Sequence, residues 1–152
     1  MRVGWIVAPD ELMEKFIIAK QAADLNSSFF VQCIVYQFLR DNDIEKHILK
    51  IVDVYGRQAR AMLESIDKFF PKSVTHTTPE GGMFLWASLP EKASSRDLLD
   101  LAFKDKVVFV PGDTFYVKND KLNSMRLNFS CFDEATIRDG IERLSKSIKK
   151  LL

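Results

Sequence analysis

The clearest pattern along the chain is an apolar repeat at helical spacing between Asn42 and Pro71. Apolar residues return there every three or four positions, which is the spacing of one face of an α-helix. They are Ile44, Ile48, Ile51, Tyr55, Ala59, Met62, Ile66 and Phe69. Asn42, with Glu45 three positions later, has the arrangement of a capping box. The pattern predicts one long helix of about seven turns that ends before Pro71.

Two shorter helices are predicted before this one. Asp10 is a favourable N-cap, and the apolar spacing that follows it fades near residues 24–26. Ser27 or Ser28 then starts a second helix, which runs to the polar stretch 40–43. We therefore expect the main boundary in that polar stretch, which is the most loop-like part of the first third of the chain.

The chain opens on an apolar run, residues 2–8, which Pro9 ends. A short continuous apolar run predicts a buried strand. A strand needs neighbours for its backbone hydrogen bonds, and a domain seldom begins on one. We therefore expect the chain start to be an artificial cut.

After Pro71 the pattern changes to short alternating runs, which are typical of strands. Strands are predicted at 74–77, 82–89, 107–110 and 125–130. One face of the second strand carries Met83, Leu85, Ala87 and Leu89. Ser94 or Ser95 caps a short helix, and Asp133 caps a last helix with an apolar stripe. The predicted fold class is α/β, with an α+β layer of sheet and helices over residues 71–152.

Composition and charge exclude several classes of protein. The 152 residues are 47% apolar and 28% charged, with a net charge of +1, which is the profile of a globular domain with no surface for nucleic acid or anionic lipid. No apolar run reaches the roughly 18 residues of a membrane span, and the first residues do not form a signal peptide. We therefore expect no nucleic-acid or membrane partner and a cytoplasmic location. Cys33 and Cys131 lack the spacing of a metal or redox site, so we expect reduced packing residues.

The residues alone contain few candidates for chemistry. There is no phosphate-binding glycine loop and no metalloprotease or serine-hydrolase motif. His47 and His76 are expected to be structural or surface residues, and Asp113 a local cap. Arg2 and Arg126 stand inside apolar strand patterns, where a lone guanidinium is costly to bury unless it meets an anion. On position alone, each arginine either binds an anion or belongs to a salt bridge or an exposed strand face.

A set of short motifs then occurs in a fixed order. They are Arg2-Val-Gly-Trp5 with Ala8-Pro9, Lys20-Gln21, Gly81-Gly82-Met-Phe-Leu-Trp86 leading to Leu89-Pro90, Val110-Pro111-Gly112 with Phe115, and Arg126-Leu-Asn-Phe-Ser130. Together they resemble the C-terminal part of class I/II pyridoxal-phosphate aminotransferases of fold type I, in particular the α-aminoadipate, kynurenine and aromatic aminotransferase branch. The resemblance covers the whole chain.

The resemblance implies roles for the two arginines. Arg2 corresponds to the arginine that binds the phosphate of pyridoxal 5'-phosphate, and Arg126 to the arginine that binds the substrate α-carboxylate. The Gly81-Gly82 turn and the 111–115 loop resemble segments that close over the substrate. In relatives the Schiff-base lysine lies a few residues upstream of the first arginine, so no catalytic residue is expected in this chain. Lys20 does not match that position.

The resemblance also implies a domain organisation. Residues 1–40 are expected to be the end of the large cofactor-binding domain, 41–70 the connecting helix and 71–152 the small C-terminal domain. The parent protein is expected to be a homodimeric enzyme that transfers an amino group between an amino acid and a 2-oxo acid, whereas this chain alone is expected to be inactive. Two alternatives stay open: the effector domain of a transcription regulator, and an α+β interaction module without a cofactor.

Overall fold

The computed structural model describes residues 3–118 and 122–152. The chain divides into two compact units, residues 1–49 and 50–152. The first unit contains α1 (Asp10–Ala23), α2 (Phe29–Asp41) and the start of α3 (Ile44–Phe69). The second contains the rest of α3, then β1 (Thr75–His76), β2 (Phe84–Ser88), α4 (Ser95–Lys104), β3 (Val110–Pro111), a 3-10 helix (Gly112–Phe115), β4 (Ser124–Asn128) and α5 (Glu134–Leu151).

The first unit differs from the prediction at its start. Residues 3–9 adopt neither helix nor strand, so the predicted opening strand is wrong for the described part of that run. Among the described residues no strand pairs with this segment, and unpaired backbone groups do not hold an extended ladder. Helix α1 follows the predicted range, but its N-cap is Pro9 and Asp10 lies in the first turn.

The long helix α3 is confirmed, with a different cap. The backbone N–H of Lys46 donates to the Asp43 carboxylate at 3.0 Å, whereas the Asn42 side chain donates to the Phe38 carbonyl and closes α2. Asn42 is therefore the C-cap of the preceding helix, and the predicted capping box is wrong. The apolar stripe buries Met62 and Ile66. None of the helices among the described residues combines the length and apolar character that a membrane span requires.

The sheet is antiparallel throughout, with the order β1-β2-β4-β3. Its strands are shorter than predicted, and β3 is also shifted toward the C-terminus. Lys106 has a left-handed backbone (φ 58°), and the Val107 N–H donates to the Ala102 carbonyl at 2.9 Å. Because these residues terminate α4, the strand begins only at Val110. Residues 74–77 likewise pair only at Thr75 and His76.

Helices α3, α4 and α5 supply one side of the core, and one face of the sheet supplies the other. The sheet contributes Leu85, Ala87, Met125 and Leu127, and α5 contributes Ile137, Ile141, Leu144 and Ile148. Met83, which was predicted on the same face as Leu85, is 39% exposed because β2 begins one residue after it. The predicted sheet-and-helix class is confirmed.

Both predicted caps in this unit are present. The Ser94 hydroxyl accepts from the Asp97 N–H at 3.2 Å. The Asp133 carboxylate accepts from the Thr136 N–H at 2.8 Å. This backbone hydrogen bond holds the pKa of Asp133 below its ordinary value, because it favours the charged carboxylate.

The 3-10 helix after β3 packs closely on the sheet at Gly112. A Cβ placed there would come within 2.8 Å of Trp86 Cζ2 and closer still to the Ser124 hydroxyl. Since Gly112 has no positive φ, it is required for space and not for backbone conformation. The turn is therefore held directly against β2 and β4.

Gly112→Ala should lower the free energy of unfolding by about 1–3 kcal/mol, because the added methyl group must displace Trp86 or the backbone of the turn. Gly140→Ala is the matched control, since a Cβ at Gly140 meets nothing within 4 Å. In the middle of α5 it should raise the free energy of unfolding by about 0.5–1 kcal/mol. Urea denaturation of the three proteins measures both values, and a neutral Gly112→Ala would contradict the close packing.

Asp133→Asn should make the stability of the chain less dependent on pH in the acid range. Asn caps a helix about as well as Asp, but only the aspartate carries a charge that is lost on protonation. Because the folded pKa is lowered, the stabilisation is present above the unfolded value of about 3.9 and is lost as the pH falls through the folded value. Urea denaturation at pH 6 and pH 3 should show a smaller loss in Asp133→Asn than in the wild type. An equal loss in both would contradict this role of Asp133.

Candidate functional site

The face of the sheet opposite the core carries an arginine among aromatic rings. In the β2–β4 register, Trp86 lies opposite Arg126 and Phe84 lies opposite Asn128. Val110 of β3 lies on the other side of Arg126. Side chains alternate between the two faces of a strand, so these residues share the outward face while Leu85 and Leu127 share the inward one.

The Arg126 guanidinium lies against two phenylalanine rings. Its Cζ is 4.1 Å from the centroid of Phe84 and 4.8 Å from the centroid of Phe115. Contacts of this kind stabilise a cation by roughly 0.5–2 kcal/mol. They also limit the movement of the guanidinium, because it packs against both rings.

Arg126 has no counter-ion in the part of the chain that the structure describes. No carboxylate there lies within 4.0 Å of it, and its buried Nε has no hydrogen-bond partner. A guanidinium presents five N–H donors in a fork that suits a carboxylate or phosphate. The arrangement is therefore that of an anion-binding group whose anion comes from outside the described residues.

The aromatic rings around Arg126 are held by one another. Trp86 meets Phe115 edge to face at 5.5 Å and Tyr116 at 6.2 Å, which are favourable aromatic geometries. Phe115 is 49% exposed and Trp86 is half-buried. Both side chains therefore lie at least partly at the surface.

The 3-10 helix that carries Phe115 is fixed by an ion pair. The Asp113 carboxylate is 3% exposed and accepts from Arg96 Nε at 2.6 Å. The Asp113 carbonyl in turn accepts from the Tyr116 N–H at 3.2 Å. Asp113 is therefore a buried ion-pair partner of α4, and its predicted role as a local cap is wrong.

An open cleft of about 680 Å³ extends from Arg126. Its walls come from β4, from the segment before β3 and from α5, and its polar lining includes Asn128 and Thr136. This volume lies in the range of small-molecule sites.

Cys131 also lines the cleft. Cys33 and Cys131 are both unpaired, as predicted, but both are exposed and neither serves as a packing residue.

Glycine is required for different physical reasons in the two glycine-containing segments of the motif set, Gly81-Gly82 and Val110-Pro111-Gly112. Gly82 has φ 76°, and a Cβ at Gly81 or Gly82 would meet nothing within 4 Å. Gly82 is therefore required for a left-handed turn, whereas Gly112 is required for space against Trp86 and Ser124. No group of three His, Cys, Asp or Glu side chains that could hold a metal ion occurs in residues 3–118 and 122–152.

Of the two arginines singled out in the sequence, Arg126 lies on the outward sheet face and Arg2 lies outside the described residues. Sequence reasoning missed the contributions of Phe84 and Arg96. One signal was available for Arg96: a cation in the first turn of a helix opposes the helix dipole, so it needs a compensating partner. No comparable signal marked Phe84, whose contact with Arg126 depends on the strand register.

Comparisons with known proteins agree with the motifs. The family model described as aminotransferase class I and II matches residues 1–144. Aromatic-amino-acid aminotransferase 1 of Thermococcus litoralis is 42% identical over 98% of this chain and 36% of its own length. The HTH-type transcriptional regulator NorG of Staphylococcus aureus is 28% identical over 99% of this chain and 34% of its own length.

A solved structure agrees as well. The crystal structure of the α-aminoadipate aminotransferase of Thermus thermophilus, complexed with N-(5'-phosphopyridoxyl)-L-leucine, has a TM-score of 0.81 and 35% identity. The match covers 95% of this chain and 37% of that protein, so the chain spans little more than a third of the length of its relatives. Because the family model matches residues 1–144 of the 152 residues of this chain, the chain belongs to the class I and II aminotransferase family.

Proposed function

We propose that the full-length protein that contains this chain is a pyridoxal-phosphate-dependent aminotransferase that transfers an amino group between an amino acid and a 2-oxo acid. In this proposal Arg126 binds the α-carboxylate of the substrate. The observation that carries the proposal is the guanidinium of Arg126, which contacts Phe84 and Phe115 and has no counter-ion among the described residues.

A carboxylate is the anion that best fits both the residue and the family. Its two oxygens can accept two parallel N–H bonds from one guanidinium, which fixes orientation as well as position. Fixing the carboxylate fixes the attached Cα, so that the bond to be broken faces the reacting groups. Such positioning supplies a large part of enzymatic rate acceleration.

One arginine can serve both halves of an amino transfer. The amino acid that gives the amino group and the 2-oxo acid that receives it share a carboxylate next to the reacting carbon. A site that recognises this shared group accepts both substrates in turn, while the side-chain pocket discriminates between them. The uncharged aromatic surroundings of Arg126 support this role, because they leave its N–H donors available.

Pyridoxal phosphate, when bound, supplies an electron sink for the charge that develops at Cα. The cofactor would bring a phosphate group to the site, and the substrate would bring a carboxylate. The unpaired guanidinium of Arg126 fits the carboxylate. We propose Arg2, which lies outside the described residues, as the ligand of the phosphate.

No residue of this chain is assigned the transfer of the Cα proton. In this proposal a lysine upstream of Arg2 moves that proton. The residues of this chain orient the substrate and bind its charged groups. Residues 1–40 then form the end of the large domain, 41–70 the connecting helix and 71–152 the small domain. The chain alone is accordingly expected to have no transaminase activity.

We also propose that the full-length protein is a cytoplasmic homodimer. The family resemblance is the basis of this part of the proposal. Neither α1 nor α2 contains a buried residue, and Phe29 is 79% exposed. Clustered exposed apolar side chains mark surfaces that other protein covers, which fits the rest of the large domain as well as a second subunit.

The second candidate function is the effector domain of a transcription regulator. The similarity to NorG favours it, because the same carboxylate site would serve to sense an amino acid without turnover. A winged helix-turn-helix in the N-terminal region of the full-length protein would decide for the regulator. Its absence, together with transaminase activity, would decide for the enzyme.

Arg126→Leu in the full-length protein should lower kcat/KM for an amino acid by at least about 30-fold, since removing one partner of a buried charge pair costs about 2–5 kcal/mol. Arg126→Lys keeps the charge but loses the forked N–H donors. Its kcat/KM should lie between the values of the wild type and Arg126→Leu. Steady-state kinetics with a panel of amino acids measures the effect.

The matched control is Arg138→Leu, which removes an exposed arginine that pairs with Glu64 at 2.9 Å. It should leave kcat/KM within about twofold, as is usual for surface substitutions. Equal kinetics in Arg126→Leu and the wild type would contradict the assignment of the carboxylate to Arg126. They would instead favour an interaction module in which this arginine has no ligand.

A further inference from the structure

The ion pair between Arg96 and Asp113 lies one step away from the arginine site. Arg96 Nε donates to Asp113 Oδ2 at 2.6 Å. The other carboxylate oxygen, Oδ1, is buried and has no hydrogen-bond partner among the described residues. A buried carboxylate that loses its cation is strongly unfavourable. Without Arg96, therefore, Asp113 should leave its buried position and move toward water.

A movement of Asp113 cannot stay local. The 3-10 helix has four residues, Gly112–Phe115, and the Asp113 carbonyl binds the Tyr116 N–H. Gly112 leaves no room to rearrange, because it is packed against Trp86 and Ser124. The change must therefore be taken up on the other side of Asp113, at Thr114 and Phe115.

Phe115 is the part of this turn that reaches the arginine site. Its ring centroid lies 4.8 Å from Arg126 Cζ and 5.5 Å from the Trp86 ring. Phe84 and Phe115 are the two rings that the Arg126 guanidinium contacts among the described residues. If Phe115 moves, the guanidinium loses one of these two contacts.

The position of Arg96 indicates that its ion pair with Asp113 differs from an ordinary exposed ion pair. Arg96 lies in the first turn of α4, two residues after the N-cap Ser94. A cation there opposes the helix dipole, so the helix gains nothing from it. Its side chain is 65% exposed, while its partner is almost fully buried. Arg96 therefore stabilises the structure by pairing with the buried carboxylate of Asp113.

We propose that the Arg96–Asp113 ion pair positions Phe115 and, through it, the guanidinium of Arg126, so that Arg96 is a positioning residue for substrate carboxylate binding. This inference rests on the proposed function. Arg96 has no contact with Arg126 among the described residues and acts only through the turn. A purely structural ion pair would stabilise the fold without changing the affinity for a carboxylate.

The test uses the full-length protein with its cofactor and two probes, L-phenylalanine as substrate and 3-phenylpropionate as a carboxylate without an amino group. Arg96→Met should raise KM for L-phenylalanine and Kd for 3-phenylpropionate by about 5- to 10-fold, less than the roughly 100-fold effect of a 1 Å misplacement at reacting atoms. kcat should change by less than about twofold, because the reacting groups lie elsewhere. Calorimetry gives Kd independently of turnover.

Three further variants separate positioning from stability. Arg96→Lys should restore most of the affinity, because it restores a cation for Asp113. Arg138→Met, which breaks an exposed ion pair with Glu64, should leave both Kd and the melting temperature nearly unchanged, whereas Arg96→Met should also lower the melting temperature, because Asp113 is buried. In a Phe115→Ala background Arg96→Met should have no additional effect on Kd, since both changes act through the same ring.

The outcomes also separate this inference from the proposed function. If the wild type binds 3-phenylpropionate, Arg126→Leu abolishes binding and Arg96→Met behaves like Arg138→Met, the positioning role is overturned while the proposed function stands. If the wild type converts none of a panel of amino acids and does not bind 3-phenylpropionate, the proposed function is overturned and the positioning role with it. If Arg96→Met weakens binding in the Phe115→Ala background as much as it does in the wild type, the route through Phe115 is overturned.

Discussion

The antiparallel register between β2 and β4 determines the chemistry of both faces of the sheet. Leu85 lies opposite Leu127 on the inward face, and Trp86 lies opposite Arg126 on the outward face. A slip of one residue would exchange the two sets. Burying a large apolar side chain contributes roughly 1.5–3 kcal/mol, and burying an unpaired guanidinium costs several kcal/mol. Both terms therefore favour the same register, and the core holds Arg126 outward.

The surroundings of Arg126 differ from those of the other arginines with described partners. Arg57, Arg138 and Arg143 each pair with a carboxylate, which occupies their N–H donors. The rings of Phe84 and Phe115 stabilise the Arg126 cation through its face and leave its edges without a partner among the described residues. Aromatic support thus keeps a cation in place while its hydrogen-bonding capacity stays available. This is why a guanidinium in an aromatic frame suits the binding of a small carboxylate.

The features that could be predicted are those set by local sequence, such as the long helix α3 and the helix caps at Ser94 and Asp133. The opening strand was wrong, because an apolar run specifies burial but not a partner strand. Arg126 stood out because a cation inside a strand pattern is unusual, and the family motifs gave it a role. Its aromatic frame and the Arg96–Asp113 ion pair could not be predicted. They join residues far apart in the chain, which meet only once the strands are in register and α4 and the turn have packed on the sheet.

The account depends most directly on what occupies the N–H edge of Arg126. A crystal structure of the full-length protein with cofactor and bound 3-phenylpropionate tests this without reference to turnover. We expect both carboxylate oxygens within about 2.7–3.2 Å of the Arg126 guanidinium nitrogens, with Phe84 and Phe115 still on its faces. A carboxylate bound elsewhere, or an Arg126 paired with an Asp or Glu of the protein itself, would contradict the account.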